Sequence, residues 1–401
     1  MSKPSEVVWA DDTGPVTGPL RGVRILDLTT VVMGPAATQM LGDLGADVVK
    51  IETAAGDSMR WIGPWRHAGM GPLFLWANRN KRSVVLDLKS PEGKAAALTL
   101  ATQADVVVSN VRPQALARLG LDYNSVRPRN EKIIYCAAVG YGAGGPDAGK
   151  AVYDDLMQAA SGIASLFGTV DGKPRYAPIN ICDRIVGLYV ANAITAALYH
   201  RATTGEGQEI EVPMFEAMTQ FVLSDHIGGN AFAPSEGPMG YKRLLSSTRG
   251  PYATKDGYLC LVVYTNKHWE AFSRKVGQPD LMKTDPRFEN QESRTQHAEA
   301  MGRFIGQHLP AYTNAEWLAW LHEVDIPACP VNSIEDLLTD PHLRAVGFFS
   351  EMEHPTEGRL NVARFPVRFS ASPANTRRLA PNIGEHNDEF IKPAIQEGLT
   401  V

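Results

Sequence analysis

Apolar residues in the first half of the chain fall into short blocks separated by helical patterns. "GVRILDLT" reads as a buried strand, and "GPAATQMLGDLG" follows as a short helix opened by Gly34-Pro35, with proline in the first turn. "ADVVKIE" is a second strand, so the first fifty residues form a βαβ unit. "RSVVLDLKSPEGKAAALTLATQADVVVSNV" repeats that order: strand, a helix start at Ser90-Pro91-Glu92, helix, strand. "EKIIYCAAVGYG" adds a strand, a long apolar helix runs from Asp183 to about Arg201, and "GQEIEVPM" adds another strand. Strands alternating with helices predict an α/β fold with a Rossmann-like, doubly wound parallel sheet and ligands at the carboxyl ends of its strands.

The texture changes near residue 225. "IGGNAFAPSEGPMGYKRLLSSTRGPYAT" is a Gly-, Pro- and Ser-rich loop, followed by the strand-like "DGYLCLVVYT" and the amphipathic segments "HWEAFSRKVG" and "TNAEWLAWLHEV". Residues 1–224 are expected to form a large domain, 225–330 a smaller α+β domain, and 331–401 a segment that returns to complete the first.

With 401 residues, 44% of them apolar, two domains are affordable, and a formal net charge of -5 argues against a general polyanion binder such as a nucleic-acid protein. An anionic ligand would need a local basic pocket. Cys136, Cys182, Cys260 and Cys329 are scattered without metal-ligand spacing, so no metal site is expected. The polar, proline-punctuated N-terminus lacks a signal-peptide core, and no apolar run reaches spanning length without polar interruption. A reduced cytoplasmic protein, not bound to a membrane, is the expectation.

The first βαβ unit invites a dinucleotide reading, with Glu52 at the position of a ribose-binding acid. The turn after the first strand is "TTVVMGP", however. It has only Gly34, and Pro35 removes an amide donor, so a pyrophosphate could not approach the backbone closely.

Taken in order, "GVRILDLTTVVMGPAATQMLGDLGADVVKIE", "GDSMR", "NRNKRSVVLDLKSPEGK", "ADVVVSNVRPQALARLGLDY", "GYGAGGP", "YDDLMQAASGI" and "CDRIVGLYVANAITAALYHRATTGEGQEIEVPM" resemble the class III CoA-transferases over about residues 19–392. In that family the catalytic carboxylate opens a segment matched here by Asp183, Gly187, Ala191, Ala197-Leu198, Arg201 and Thr204-Gly205. The resemblance implies that Asp183 is a nucleophile attacking an acyl-CoA thioester. From the residue alone, Asp183 is also a favoured helix cap, whose orphan N–H partners and helix dipole would favour its ionised form. The implied chemistry exchanges activated acyl bonds of similar energy, so no permanently bound cofactor is expected; coenzyme A enters as the acyl-CoA substrate.

Tetrahedral oxyanions need donors, and the turn from Val139 through Gly140, Tyr141 and Gly142 could supply amides. The loop bearing Gly228 and Gly229 is a candidate lid. For the CoA phosphates and pantetheine, the resemblance points to Val31, Val32 and Met33, to Arg60, to Asn80, Lys81 and Arg82, and to Asn110, Arg112 and Arg118. Valine at 32 replaces a glutamine found in some relatives, leaving the acid specificity open. A related racemase group carries a histidine where Tyr153 stands here, and tyrosine is a poor base near neutrality, which favours transfer over racemisation. His67 and His226 are further candidates for the acyl pocket, and Arg249, with Lys242 and Arg243, could hold the second carboxylate of a dicarboxylic acyl group. Relatives form intertwined homodimers. A catalytically inactive CoA-binding protein of the same fold is the remaining non-enzymatic alternative.

Overall fold

Six apolar blocks become the strands of one sheet: β1 (Arg24–Leu28), β2 (Asp47–Glu52), β3 (Lys81–Val85), β4 (Val106–Ser109), β5 (Ile134–Val139) and β6 (Gln208–Pro213). Their spatial order is β3-β2-β1-β4-β5-β6 and every pairing is parallel. Strands covered on both faces need apolar side chains pointing both ways, and β4 is buried throughout. The order reverses between β1 and β4, where the connections leave in opposite directions and open a crevice at the strand ends. The structure, a computed structural model, describes residues 6–10, 16–169 and 172–392. Much of the N-terminal segment that sequence reading judged unlike a signal peptide, and 393–401 of the expected return segment, lie outside the described residues.

The chain divides into two compact units, Met1–Ser161, Ala177–Phe221 and Ala345–Val401 in the larger, Gly162–Tyr176 and Val222–Arg344 in the smaller. The smaller unit thus reaches past the expected 330 limit and takes in a stretch near 170 that sequence texture did not separate. In the larger unit, α1 (Met33–Asp43) follows β1, α2 (Pro91–Gln103) follows β3, and α3 (Pro113–Leu119) follows β4. Ser90 caps α2 by accepting from the Gly93 N–H, with Pro91 and Glu92 in its first turn, as the sequence signal requires. The returning chain lies along β3: Asn80 N–H donates to the Arg378 carbonyl, and Val85 N–H to Asn387 Oδ1.

Two further helices place the site. The short α4 (Asp154–Ala160) precedes α5 (Ile181–Thr204), whose 24 residues are long and apolar enough, by length and composition, to cross a membrane. That departs from the expectation that no run reached this length. In this unit the apolarity serves the core: Cys182, Val186, Val190, Ile194 and Ala197 form a buried stripe at helical spacing. Gly187 lets α5 approach α1, because a Cβ there would sit 3.0 Å from the Met33 carbonyl oxygen. Gly205 ends α5 at φ 82, a left-handed conformation that glycine adopts without strain. Just before it, Arg201 pairs with Asp105 at 2.9 Å and ties the helix end to the start of β4.

The smaller unit holds a three-stranded antiparallel sheet made of β7 (Tyr252–Ala253), β8 (Tyr258–Leu261) and β9 (Ala328–Pro330), with β8 central. Around it pack α6 (Asn266–Lys275), α7 (Gln291–Gln296), α8 (Ala298–His308) and α9 (Asn314–Glu323), the last begun by a capping box between Thr313 and Glu316. Its core is aromatic: Trp269 meets Phe288 edge-on at 5.2 Å, and Phe272 stacks on Trp317 at 5.9 Å.

Candidate active site

The entrance of α5 is set by hydrogen bonds from α4. Asp154, buried at the start of α4, accepts the Asp183 N–H at 2.9 Å through Oδ2, and its Oδ1 accepts from Gln158. Gln158 in turn accepts the Ala177 N–H at 2.8 Å, so one helical turn holds both the chain entering α5 and its first turn.

The expectation that Asp183 caps this helix is corrected. Asn180 occupies the cap position, Asp183 is the third helical residue, and no side chain makes a capping bond. Nor does the ionised form prevail through capping. Burial, and then the neighbouring Asp154 carboxylate, push the Asp183 carboxyl up to about 7, against a weaker pull from Arg184. Asp183 therefore changes charge near neutrality, unlike an ordinary exposed aspartate.

Asp183 lines a cavity of about 330 Å³ at the carboxyl ends of the strands. Val31 and Met33 border it from the turn after β1, Asn110 and Arg112 from the turn after β4, Val139 to Tyr141 from the end of β5, and Glu211 from β6. A second cavity of about 730 Å³ shares Asn110, Arg112 and Gly149 with the first and extends to Arg118 on α3. The two share wall residues: Asp183 and Arg112 line the first and Arg112 and Arg118 the second, both arginines being exposed. Among the described residues neither arginine has an ion pair. Tyr153 lines the first cavity beside Asp183, and no histidine is among its lining residues.

Several expected ligands of CoA lie elsewhere, and buried charge pairing is the reason. Arg60 is fully buried, forks onto Glu52 at 2.6 and 2.8 Å and lies over the Phe74 ring. That also removes Glu52 from any ribose-binding role. Asn80 bonds Asp43 and accepts the N–H groups of Arg377 and Arg378. Lys81 donates to Asp27 Oδ2 at 3.0 Å, to the Pro35 carbonyl and to Asn78, and burial pushes its ammonium down to about 8 despite Asp27. Arg82 bridges Asp47 and Glu389 and lies 4.4 Å from the Phe390 ring centroid. Val32 is buried and outside the lining, while its neighbours Val31 and Met33 are part of it.

That interior network still positions the site. Lys50 donates to the Thr29 carbonyl at 2.6 Å and pairs with Asp57 at 3.0 Å, while Asp57 accepts the Val31 N–H. Asp27 holds the Thr29 N–H at 2.8 Å. The turn after β1 is thereby fixed by charges sealed from water. Breaking one such pair typically costs about 3–5 kcal/mol.

The remaining expectations separate cleanly. Gly140 and Tyr141 line the cavity, but the Gly142 amide is already committed to Glu216 Oε1 at 2.9 Å. His67 is an exposed partner of Glu357 and not a lining residue. Gly228, Gly229, His226 and Arg249 belong to the smaller unit, where the glycine loop closes on itself through Gly229 N–H to the Pro238 carbonyl and Gly240 N–H to the His226 carbonyl. Lys150 and Gln114 are also in the wall and carried no expectation; the signals were the loop following β5 for Lys150 and the first turn of α3 after β4 for Gln114.

Residues 20–387 match CoA-transferase family III. The chain belongs to that family. A succinate–glutarate CoA-transferase of Agrobacterium fabrum is 33% identical over 382 residues, covering 93% of this chain and 95% of the relative. The succinyl-CoA:glutarate CoA-transferase of Mus musculus is also 33% identical, over 386 residues, covering 94% and 87%. A solved CAIB/BAIF family protein from Brucella suis superposes with a TM-score of 0.79 at 30% identity, covering 92% of this chain and 98% of that one. The protein is thus a CoA-transferase of family III, with acyl-CoA and carboxylic acids as its substrates.

Proposed function

We propose that this CoA-transferase works through a covalent aspartyl intermediate on Asp183 and that its acids are dicarboxylic. The observation that carries the first part is the position of Asp183, at the wall of a cavity that Arg112 also lines and that shares wall residues with the cavity at Arg118. An acyl-CoA placed with its phosphates on the arginines would put its thioester toward the carboxylate. The Asp183 carboxylate attacks the thioester carbonyl, the C–S bond breaks, and an aspartyl–acyl anhydride and CoA thiolate result. The thiolate then attacks the aspartyl carbonyl and expels the first acid as its carboxylate. The acceptor carboxylate attacks the aspartyl thioester, thiolate leaves, and its return to the acyl carbon releases the new CoA ester and free Asp183. The amides near Gly140 and Tyr141 are the candidate donors to the oxyanions of these steps.

The dicarboxylate reading is supported by relatives named for succinate and glutarate. Tyr153 in the wall, with no histidine beside it, supports transfer over racemisation. Leu188, Tyr189 and Tyr199, large and exposed on α5, support an intertwined homodimer of two-domain protomers. The four unpaired cysteines support a reducing, cytoplasmic setting. The test is incubation with succinyl-CoA and free glutarate, followed by borohydride or hydroxylamine trapping and peptide mass spectrometry. Glutaryl-CoA should form and the trapped mass change should map to Asp183. Turnover with an unmodified Asp183, or turnover retained by Asp183→Ala, would overturn the mechanism.

A further inference from the structure

The smaller unit contains a cavity of about 410 Å³, none of whose lining residues is given a role in the steps above. Every residue lining it lies between Tyr241 and Ile305, within that unit. Its charged lining residues are three arginines, Arg243, Arg249 and Arg294; no aspartate or glutamate is among them. A buried cationic side chain with no acid to pair with is costly unless an anion neutralises it.

Arg294 is the informative member. It is 4% exposed, yet its donors reach only neutral oxygens, the Phe288 carbonyl at 2.8 Å and the side-chain oxygens of Asn266 and Gln291. Its Nε has no hydrogen-bond partner, and burial lowers its pKa with no acid nearby to restore it. Of the acids flanking it in sequence, Glu292 accepts from Gln296, and Glu299 on α8 is occupied by Arg303 and Ser247. Arg243 and Arg249 are exposed and have no ion pair among the described residues. Besides Ser246, Thr248, Gln291 and Thr295, the rest of the lining is apolar or aromatic, with Tyr252, Trp269, Leu261 and Met301 continuous with the core of the unit. Bare phosphate would leave that wall unused. A carboxylate on a hydrocarbon or aryl body satisfies both halves.

We infer that the smaller unit carries a binding site for a small organic acid, its carboxylate held among Arg243, Arg249 and Arg294 and its apolar body against Trp269 and Tyr252. The inference does not rest on the aspartyl mechanism, so its test uses the full-length Asp183→Ala protein, in which turnover is removed. Isothermal titration with hexanoate, benzoate and glutarate, and with inorganic phosphate as the opposing arm, reads the site directly. At least one carboxylate should bind saturably, protect Cys260 in the cavity wall from alkylation by iodoacetamide, and bind about tenfold or more weakly to Arg249→Gln and to Arg243→Gln. Both substituted arginines are exposed, so these variants should fold; Arg294→Lys then tests the buried member. Absence of saturable carboxylate binding, phosphate binding as tight as any carboxylate, or affinities unchanged in both exposed variants would each overturn the assignment.

Discussion

Asp27 and Asp183 are both withdrawn from water, and they behave in opposite ways. Burial alone would raise the pKa of either carboxyl. Around Asp27, Lys81, Lys50 and the hydroxyls of Thr29 and Thr38 more than offset it, and the carboxyl is held far below the usual carboxylate range. Around Asp183 the nearest strong influence is another acid, Asp154, and the weaker pull of Arg184 does not cancel the burial, so the carboxyl rises to about 7. One aspartate is a structural anion and the other a poised one. The neighbours decide, and residue type does not.

The largest expected difference between the two is kinetic. Asp183→Ala should lower kcat by about a thousandfold or more while the protein still unfolds in one cooperative step and no more readily than the parent, because a lost nucleophile is not replaced by positioning alone. Asp27→Asn should do the reverse, costing about 3–5 kcal/mol of stability by stranding buried Lys81, measurable by urea unfolding at pH 7.

Next comes acid sensitivity. Asp183 reacts as the anion, which is lost as pH falls through about 7, so kcat/KM should drop nearly tenfold per unit below that point. The stability contribution has the opposite sign. The folded state holds the proton more tightly than the unfolded state, so stability declines as pH rises from about 4 to about 7 and is flat above. Asp183→Asn should therefore stabilise the fold by about 1–3 kcal/mol at pH 8, a figure discounted for partial exposure, and by nothing measurable below pH 4. A variant no more stable at pH 8 than the parent would break the contrast with Asp27.

The smallest effects sharpen it. Arg118→Gln should raise KM for acyl-CoA about five- to tenfold with kcat unchanged, whereas Lys81, if changed, should alter stability first. Asp154→Asn keeps an oxygen to accept the Asp183 N–H and removes the like charge, so the acid limb of the pH profile should move down by about half a unit to one unit. A profile that stays in place would leave burial as the sole cause.

The alternation of apolar blocks made the parallel sheet legible, because strands covered on both faces cannot hide their composition. β1 and β2 fall where "GVRILDLT" and "ADVVKIE" predicted them, and the long helix begins two residues before Asp183. Charge was harder to read. Arg60, Lys81 and Arg82 resemble ligand residues in a list of letters, and only tertiary pairing with Glu52, Asp27 and Asp47 reveals them as interior supports. Arg112 and Arg118, on the turn and helix after β4, look no more basic, yet they border open space. The raised pKa of Asp183 was likewise hidden, since it comes from burial in the folded site and then from Asp154, 29 residues earlier in the chain.

The cavity around Asp183 borrows its sides from the ends of several strands, encoded in stretches of sequence far apart from one another. Each side can therefore drift, or be redesigned, without disturbing the rest, while the sealed charges beneath keep the frame still. A catalyst assembled this way can change the fuel it accepts by rewriting one short passage of its gene.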